Sequence, residues 1–492
     1  MRSNFVSKQS VQYRVWDDGQ CAAVVNSVFR VLERTGCLVH HKKALELLKD
    51  AGCSVDGERV RFPSSLMQWA VNSAPSTFAL YDRFGKPAMK LEPYVSNFGP
   101  TMGDTFILDH ETGEKRRGVK ADVVNAALVM EACANLSYAS GLTIISDAEP
   151  AISEVHEVHT ILPILTKPII YWAQNIDNLR DMVEMFEAVA GSPEKLAEKP
   201  TSFCLVCPVD PLVHTDNGIT QIMYLAEKRL PMVYIPGISF GCTGPITMAG
   251  NVVIGVANTL VGLLVSQLTR KGTPFIASKF TDNMDMASGM ISHSLPELFL
   301  VNAASADVFR YLGIPSMLNM GGTDAGVFSQ GYVFDVAMGY YTAVLSGSNI
   351  NWGLGSMEAG NSSSLLDLVF GNEVLSFINA VTDGIEVSPY TLAEDVIDSV
   401  GPGGNFFGEA QTAKHMREFW KPTVLKSQGY DQWHAGGGKD IDARLKDRVN
   451  EIIAKGVQKP LSDDIVKKLD AILGKAKKRV KDNPGAATSG GH

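Results

Sequence analysis

The chain has 492 residues, of which 45% are hydrophobic and 20% are charged, so it can bury a large core. Its formal net charge of −9 argues against a nucleic-acid-binding protein, because such proteins present a basic face. The N-terminal segment lacks the apolar run of a signal peptide, and an odd number of cysteines, seven, is typical of a reducing compartment, so we expect a cytoplasmic protein.

The first part of the chain, residues 1–90, has the pattern of a helical extension. Apolar residues recur at helical spacing in residues 21–34 and 42–49, and each stretch stops shortly before a glycine. Pro63 begins a third predicted helix, residues 63–71, in the position that proline favours. We therefore predict an N-terminal extension made of helices.

From residue 94 onward, short apolar runs alternate with helical stretches such as residues 119–134 and 295–312. Such runs, ended by Gly, Pro, Asn or Asp, are typical of buried parallel strands. Eight strand–helix units predict an α/β fold, a (β/α)8 TIM barrel over residues 91–382. A doubly wound sheet would need a glycine fingerprint after an early strand, and residues 98–104 do not supply one. The predicted strands are residues 94–98, 137–142, 168–173, 202–207, 232–235, 274–278, 315–320 and 348–354.

The pattern of the rest of the chain predicts helices and loops. Residues 440–454 and 462–478 have amphipathic spacing, and they belong to a predicted C-terminal helical region over residues 383–480. The tail, residues 481–492, is polar and glycine-rich, so we predict disorder there. The longest apolar run, residues 252–268, is interrupted by polar residues and is short for a membrane span, so we predict a buried helix and no membrane association.

Carboxylates follow several predicted strands. The carboxyl ends of all the strands of such a barrel meet at one mouth, where carboxylates suit a cationic ligand or acid–base chemistry. The alternative is that these residues cap the helices that follow. We favour Asp324 as a catalytic residue because it follows the glycine pair at 321–322. The candidates are Asp104, Asp147, Asp210, Asp285, Asp324 and Glu358.

Aromatic residues also collect at the predicted strand ends. Many will belong to the core, but a subset that converges on the mouth would form a cage for a quaternary ammonium group, held by cation–π attraction. These residues are Tyr94, Phe98, Tyr171, Trp172, Tyr234, Phe240, Phe280, Phe328 and Trp352.

Two groups of residues resemble metal ligands. Cys204 and Cys207 form a CxxC, but they lie in a predicted strand, where their side chains would point to opposite sides. His156 and His159 share a predicted helix, and no third ligand is evident. We expect no metal.

Four segments resemble, in order and spacing, the trimethylamine methyltransferases, a corrinoid-dependent family with a barrel fold. Residues 98–118 resemble the first barrel loop and its hairpin, and residues 239–251 resemble the loop after the fifth strand. Residues 320–326 resemble the loop after the seventh strand, and residues 401–422 resemble the C-terminal signature. The likeness extends to about residue 447.

The founding members of that family carry pyrrolysine after the seventh strand, and this chain has none. Phe328, Ser329 and Gln330 occupy the corresponding region, and the register among the three is open. The resemblance implies transfer of a methyl group from a methylated amine to the Co(I) of a corrinoid on a separate protein. Without pyrrolysine it implies a quaternary amine, which already carries its charge and leaves as a neutral tertiary amine.

Within that set, glycine betaine is the first choice, with proline betaine, carnitine and γ-butyrobetaine as relatives. One departure counts against it, since Trp352 stands where the glycine betaine enzymes are expected to have a polar residue. Gln174 and Asn175 are candidates to hydrogen-bond a substrate carboxylate, and Asp324 is the catalytic candidate. The complete set of expected substrate-binding residues is Tyr94, Phe98, Gln174, Asn175, Phe240, Phe280, Phe328, Gln330 and Trp352.

We expect no tightly bound cofactor, because the corrinoid (cobalamin) arrives with its cognate corrinoid protein. We also expect a homo-oligomer that binds neither nucleic acid nor membrane. Three alternatives stay open: a methyltransferase that uses another amine or another acceptor such as tetrahydrofolate, a barrel that binds betaines without catalysis, and a zinc enzyme built on Cys204 and Cys207.

Overall fold

The computed structural model describes residues 12–284 and 289–482 of the chain. The N-terminal extension differs from the prediction of helices alone, because short strands lie between its helices. Its elements are α1 (Asp18–Arg34), β1 (Cys37–Val39), α2 (Lys42–Asp50), β2 (Ser54–Asp56), β3 (Arg59–Arg61), α3 (Ser64–Ser73), β4 (Phe78–Tyr81) and β5 (Pro87–Leu91). Strands this short have too little alternation to stand out in the sequence.

The barrel part alternates strands and helices. Its strands are β6 (Asn97–Pro100), β7 (Phe106–Leu108), β8 (Lys115–Arg117), β9 (Ile169–Trp172), β10 (Ser202–Val206), β11 (Val213–His214), β12 (Met232–Tyr234), β13 (Gly237–Ser239), β14 (Phe275–Met284), β15 (Ile291–Ser292), β16 (Ser316–Asn319), β17 (Ile350–Leu354), β18 (Ser356–Met357) and β19 (Ser362–Ser364). Its α-helices are α4 (Lys120–Ala132), α5 (Ser153–Ile161), α6 (Ile176–Ala190), α7 (Pro193–Glu198), α8 (Asp216–Lys228), α9 (Met248–Thr269), α10 (Pro296–Tyr311), α11 (Gln330–Ser346) and α12 (Leu365–Thr382).

The predicted (β/α)8 barrel is confirmed. Seven parallel strands follow one another in the order β6-β17-β16-β14-β12-β10-β9. The amide of Ser137 donates to the carbonyl of Phe98 at 2.7 Å, and the amide of Ala139 donates to the carbonyl of Pro168 at 2.9 Å, so this segment joins the two edge strands and closes the barrel. The segment makes isolated bridges rather than the regular strand predicted over residues 137–142, because Leu142 has a φ of +69° and leaves the extended conformation.

Apolar side chains fill the lumen, and one end of it is closed. The β4–β5 hairpin bonds to residues that precede the barrel strands: the amide of Tyr81 donates to the carbonyl of Pro200, and the amide of Arg83 donates to that of Thr166. The hairpin therefore covers the amino-terminal ends of the strands, and within the described residues the carboxyl-terminal mouth is the end left for a ligand. The buried lumen residues are Leu80, Met89, Leu91, Tyr138, Ile170, Phe203, Val233, Ile235, Ile276, Met317 and Ile350.

The helix predicted at residues 252–268 is confirmed as α9, which packs against β14 and against α1, α3 and α8. Two helices, α9 and α12, are long and apolar enough to cross a membrane by length and composition, but 72% and 56% of their most apolar windows are buried inside the fold. In the N-terminal extension, β1 pairs with β11 of the barrel part, so the two regions share one small sheet.

The C-terminal region consists of helices joined by irregular loops over its described length, and its last two helices pack on the barrel. The helices are α13 (Pro389–Leu392), α14 (Glu394–Val400), α15 (Ala410–His415), α16 (Tyr430–Ala435), α17 (Ile441–Lys455) and α18 (Asp463–Asp482). Helix α17 contacts α12 and α4, and α18 contacts α5 and α6. The predicted disorder after residue 482 lies outside the described residues.

Close approach of α9 to the barrel depends on a glycine. A Cβ on Gly262 would lie 2.2 Å from the Tyr234 ring, whereas a Cβ on Gly474 of α18 would meet no atom within 4 Å. We expect Gly262→Ala to destabilise the protein by about 1–3 kcal/mol through overpacking. Gly474→Ala is the matched control and should be neutral or stabilising by up to ~1 kcal/mol through helix propensity. Urea unfolding of both variants measures this, and equal stability of the two would contradict the packing argument.

Candidate active site

The mouth of the barrel holds a cavity of about 310 Å³. A second cavity, of about 410 Å³, lies beside it and shares Phe280 and Trp352 with it. The first cavity is lined by Thr101, Met102, Gly103, Asp104, Phe280, Asp282, Ile291, His293, Asn319, Gly322, Trp352, Gly353, Ser356, Ala359 and Gly360. The second is lined by Leu205, Cys207, Pro208, Asp210, Ile235, Gly237, Thr243, Phe280 and Trp352.

An aromatic wall separates the two cavities. Phe280 of β14 and Trp352 of β17 lie on either side of β16, with ring centroids 5.7 Å apart and an angle of 64° between the rings. The His293 ring meets Phe280 edge-on, at 5.0 Å and 87°. An edge-to-face arrangement leaves ring face available to a third group, and a cation is attracted to such a face.

A buried carboxylate, Asp104, lies in the loop after β6 and faces the first cavity. The residue is 3% exposed, and the hydroxyl of Thr101 donates to its Oδ1 at 3.2 Å. Its buried Oδ2 has no hydrogen-bond partner among the described residues. Burial raises the pKa of Asp104 well above its usual range, because the charged form is poorly solvated there. Burial therefore favours the neutral form of this carboxyl group.

A second carboxylate, Asp282, comes from β14, two residues beyond Phe280. It is 8% exposed and accepts a hydrogen bond from the Ser239 hydroxyl. Asp282 was not among the predicted site residues, because the predicted strand ends at residue 278, whereas β14 continues to Met284. The alternation of side chains between the two faces of β14 identifies Asp282, since Ile276 and Phe280 point into the lumen and Asp282 follows at the same period of two.

Asp324 does not line either cavity. Its exposed carboxylate accepts hydrogen bonds from the Ser292 hydroxyl and, at 2.6 Å, from the backbone amide of His293. It thereby holds the segment that places the His293 ring in the cavity wall. Burial lowers the pKa of His293, although Asp324 and Asp282 oppose this, so the ring is neutral at neutral pH. No pattern in the sequence pointed to His293.

Among the aromatic residues predicted for the cage, Phe280 and Trp352 meet at the cavities. Phe98 instead points outward and packs against Tyr340 of α11, with centroids 5.7 Å apart. Tyr94 precedes β6, at the opposite end of the barrel, and the Arg310 guanidinium lies 4.4 Å from its ring centroid. Phe240 is buried in the outer core, and Phe328 packs against Tyr332 and Phe370.

The polar residues predicted for substrate contact are engaged elsewhere. Glu154 accepts a hydrogen bond from the amide of Gln174 at 2.9 Å, and Asn175 caps α6 by accepting from the amides of Asp177 and Asn178. Gln330 is the first residue of α11 and is exposed. None of the three predicted residues lines either cavity.

The remaining carboxylates divide between the two predicted roles. Asp147 accepts a hydrogen bond from the amide of Lys120, the first residue of α4, which agrees with a cap. Asp210 lines the second cavity, accepts from the amide of Gly237 at 2.6 Å, and has a pKa that burial raises to about 7. Glu358 pairs with Lys115, and Asp285 lies outside the described residues.

The residues that resemble metal ligands in the sequence do not come together at one site. His156 pairs with Glu149, whereas His159 pairs with Asp470 of α18. In residues 12–284 and 289–482, no group of three or more His, Cys, Asp or Glu side chains is arranged to hold a metal ion. The absence of a metal requirement stays a prediction.

Known proteins resemble this chain over nearly its whole length. The sequence model of the trimethylamine methyltransferase (MTTB) family matches residues 1–481. A trimethylamine methyltransferase of Desulfitobacterium hafniense (strain DSM 10664 / DCB-2) is 29% identical over 463 residues, 93% of either chain. A glycine betaine methyltransferase of Desulfitobacterium hafniense (strain Y51) is 26% identical over 472 residues, 95% of this chain and 98% of that one.

A solved structure supports the fold. The monomethylamine methyltransferase of Methanosarcina barkeri superposes with a TM-score of 0.50 and covers 95% of this chain and 88% of its own. Its sequence identity is only 11%, so this likeness concerns the fold alone.

The buried carboxyl group of Asp104 should cost stability as the pH rises. Its pKa is raised in the folded chain, so the folded state loses stability relative to the unfolded state as pH rises from the unfolded pKa towards the folded one. An asparagine side chain cannot ionise. We therefore expect the melting temperature of Asp104→Asn minus that of the wild type to increase as the pH rises above about 4, the pKa of an unfolded aspartate. Calorimetry without ligand measures it. Asp147→Asn, at an exposed helix cap, is the control, and a constant difference for Asp104→Asn would contradict the assignment.

Proposed function

We propose a function from the premise that this chain belongs to the trimethylamine methyltransferase family. It is a methyltransferase, and in our proposal it moves a methyl group from a quaternary amine to the Co(I) of a corrinoid carried by a separate protein. The observation that carries the proposal is the aromatic wall of Phe280 and Trp352 beside the buried carboxylate of Asp104, at the single open end of the barrel. Aromatic faces and an unpaired carboxylate suit a permanent cation.

In this proposal the chain's own residues bind, orient and desolvate the amine. The ring faces attract the trimethylammonium group, and Asp104 releases its proton to solvent as the cation enters, so that its carboxylate balances the ammonium charge. The partner's corrinoid supplies the Co(I) nucleophile that takes the methyl group. The methyl–nitrogen bond breaks as the methyl–cobalt bond forms, and the nitrogen leaves as a neutral tertiary amine. No proton transfer to nitrogen is needed.

Asp324 is a positioning residue in this proposal, since it holds the backbone of His293, and the His293 ring supports Phe280.

The surface around the mouth also suits a docking protein. Val327 and Phe334, in the loop after β16 and the first turns of α11, are 66% and 65% exposed. A cognate corrinoid protein must reach this end of the barrel to present its cofactor. We further propose a cytoplasmic homo-oligomer.

The test is methyl transfer with purified components. The chain is incubated with quaternary amines, namely glycine betaine, carnitine, choline and tetramethylammonium, together with the cognate corrinoid protein reduced to Co(I). We expect methyl–cobalt absorbance and one demethylated amine per methyl transferred, with trimethylamine and dimethylglycine much slower because their nitrogen leaves as a poorer group. Product formed with tetrahydrofolate in place of the corrinoid would contradict the proposal. Binding of an amine without any product would favour a binding protein instead.

Ring removal should weaken cation binding. A desolvated cation on an aromatic face is worth about 2 kcal/mol or more, so Phe280→Leu or Trp352→Leu should raise the Kd of the bound amine roughly tenfold to thirtyfold. Phe328→Leu is the matched control, because that ring packs against Tyr332 and Phe370 away from both cavities. Calorimetric titration measures the Kd. An unchanged Kd in both cavity variants, or an equal rise in the control, would contradict the cage.

A further inference from the structure

We infer that the site takes methylated ammonium cations that carry no carboxylate, such as tetramethylammonium or choline, in preference to betaines. The inference rests on the proposed function and narrows its substrate class. It also opposes the expectation, drawn from resemblance, that glycine betaine is the first choice.

Carboxyl groups line both cavities at the mouth. Asp104 and Asp282 line the first cavity, and Asp210 lines the second. Among the described residues that line either cavity there is no lysine and no arginine. A betaine carboxylate therefore finds no cationic side chain to pair with, and a charged group that enters such a site without a partner loses its hydration uncompensated.

The environment of Asp104 favours a positively charged ligand. The residue is only 3% exposed, and its Oδ2 has no partner in the described part of the chain. A buried carboxylate normally has hydrogen bonds or a cation. An ammonium group in the cavity would supply that cation, whereas a second carboxylate would add a like charge.

Two lysines of the elements around the mouth are paired elsewhere. Lys279 of β14 points away from the lumen, towards α9, where its ammonium donates to Asn251 and Thr281. Lys115 of β8 pairs with Glu358. The imidazole of His293 does line the cavity, but burial lowers its pKa and so disfavours its charged form. Each of these groups would have to move or change its protonation to meet a substrate carboxylate.

Polar but uncharged tails fit the same lining. A hydroxyl group donates one hydrogen bond, and the first cavity offers acceptors in the Asp282 carboxylate and the Asn319 amide oxygen. The carboxylate of glycine betaine is joined to the nitrogen through one carbon, so it cannot avoid the cavity that holds the ammonium group. Choline can therefore bind with both of its ends satisfied, whereas the carboxylate of glycine betaine has no cationic partner among the described lining residues.

The experiment is calorimetric titration of the full chain with choline, tetramethylammonium and glycine betaine. We expect Kd for choline and tetramethylammonium to be at least about tenfold lower than for glycine betaine. Asp282→Asn and Asp104→Asn should each reduce this ratio, because they remove the charge that repels the carboxylate. Asp147→Asn, which keeps a helix-capping side chain far from the lining, should leave the ratio unchanged.

The outcomes separate this inference from the proposed function. Glycine betaine binding as tightly as choline would overturn the inference, and its demethylation with Co(I) corrinoid would leave the proposed function intact. Selective binding of choline or tetramethylammonium without methyl transfer would support the inference and overturn the proposed function. A ratio that does not respond to Asp282→Asn and Asp104→Asn would show that the preference does not arise from these carboxylates and would also overturn the inference.

Discussion

Closure of the barrel is the constraint on which the site depends. The segment after α4 forms no regular strand, yet the amides of Ser137 and Ala139 reach the carbonyls of the two edge strands and complete the ring. An open sheet would leave a cleft along its side, but the closed ring and the β4–β5 hairpin under it leave one entrance. Residues at the carboxyl ends of different strands can then surround a ligand only at the mouth.

The mouth holds carboxyl groups that burial disfavours in their charged form. Asp104 has an unpartnered oxygen, and Asp210, which accepts hydrogen bonds from Gly237 and Asn258, has a pKa that burial raises to about 7. An unsatisfied buried polar group costs ~1–3 kcal/mol, so the Asp104 side chain weakens the apo fold. A cation returns part of that free energy on binding, because it favours the ionised carboxylates. The same groups thus link substrate binding to stability, and this is how a rigid scaffold favours its loaded form.

The sequence predicted the architecture well, because buried parallel strands and glycine-ended runs are strong local signals. It predicted the site poorly, because the side of the sheet on which a side chain lies depends on where strand pairing begins and ends. Phe98 was placed at a strand end, but β6 continues to Pro100, and Phe98 points outward to α11. Phe280 was placed beyond a strand that in fact runs through it, and there the period of two brings Asp282 into the cavity as well. Tertiary pairing, which no local pattern contains, decided both cases.

The glycine pair after β16 has a different role from the one that the sequence suggested. The sequence predicts a turn that exposes Asp324 to the mouth, yet that carboxylate lies outside both cavities and holds the His293 segment. A Cβ on Gly321 would lie 2.8 Å from the carbonyl oxygen of Trp352, and one on Gly353 would lie 2.8 Å from the nitrogen of Gly322. Only glycine allows the end of β16 to lie this close to β17. The close approach holds the backbone of Trp352 against the end of β16, so the glycines act on the cavity through the aromatic wall rather than through an acid.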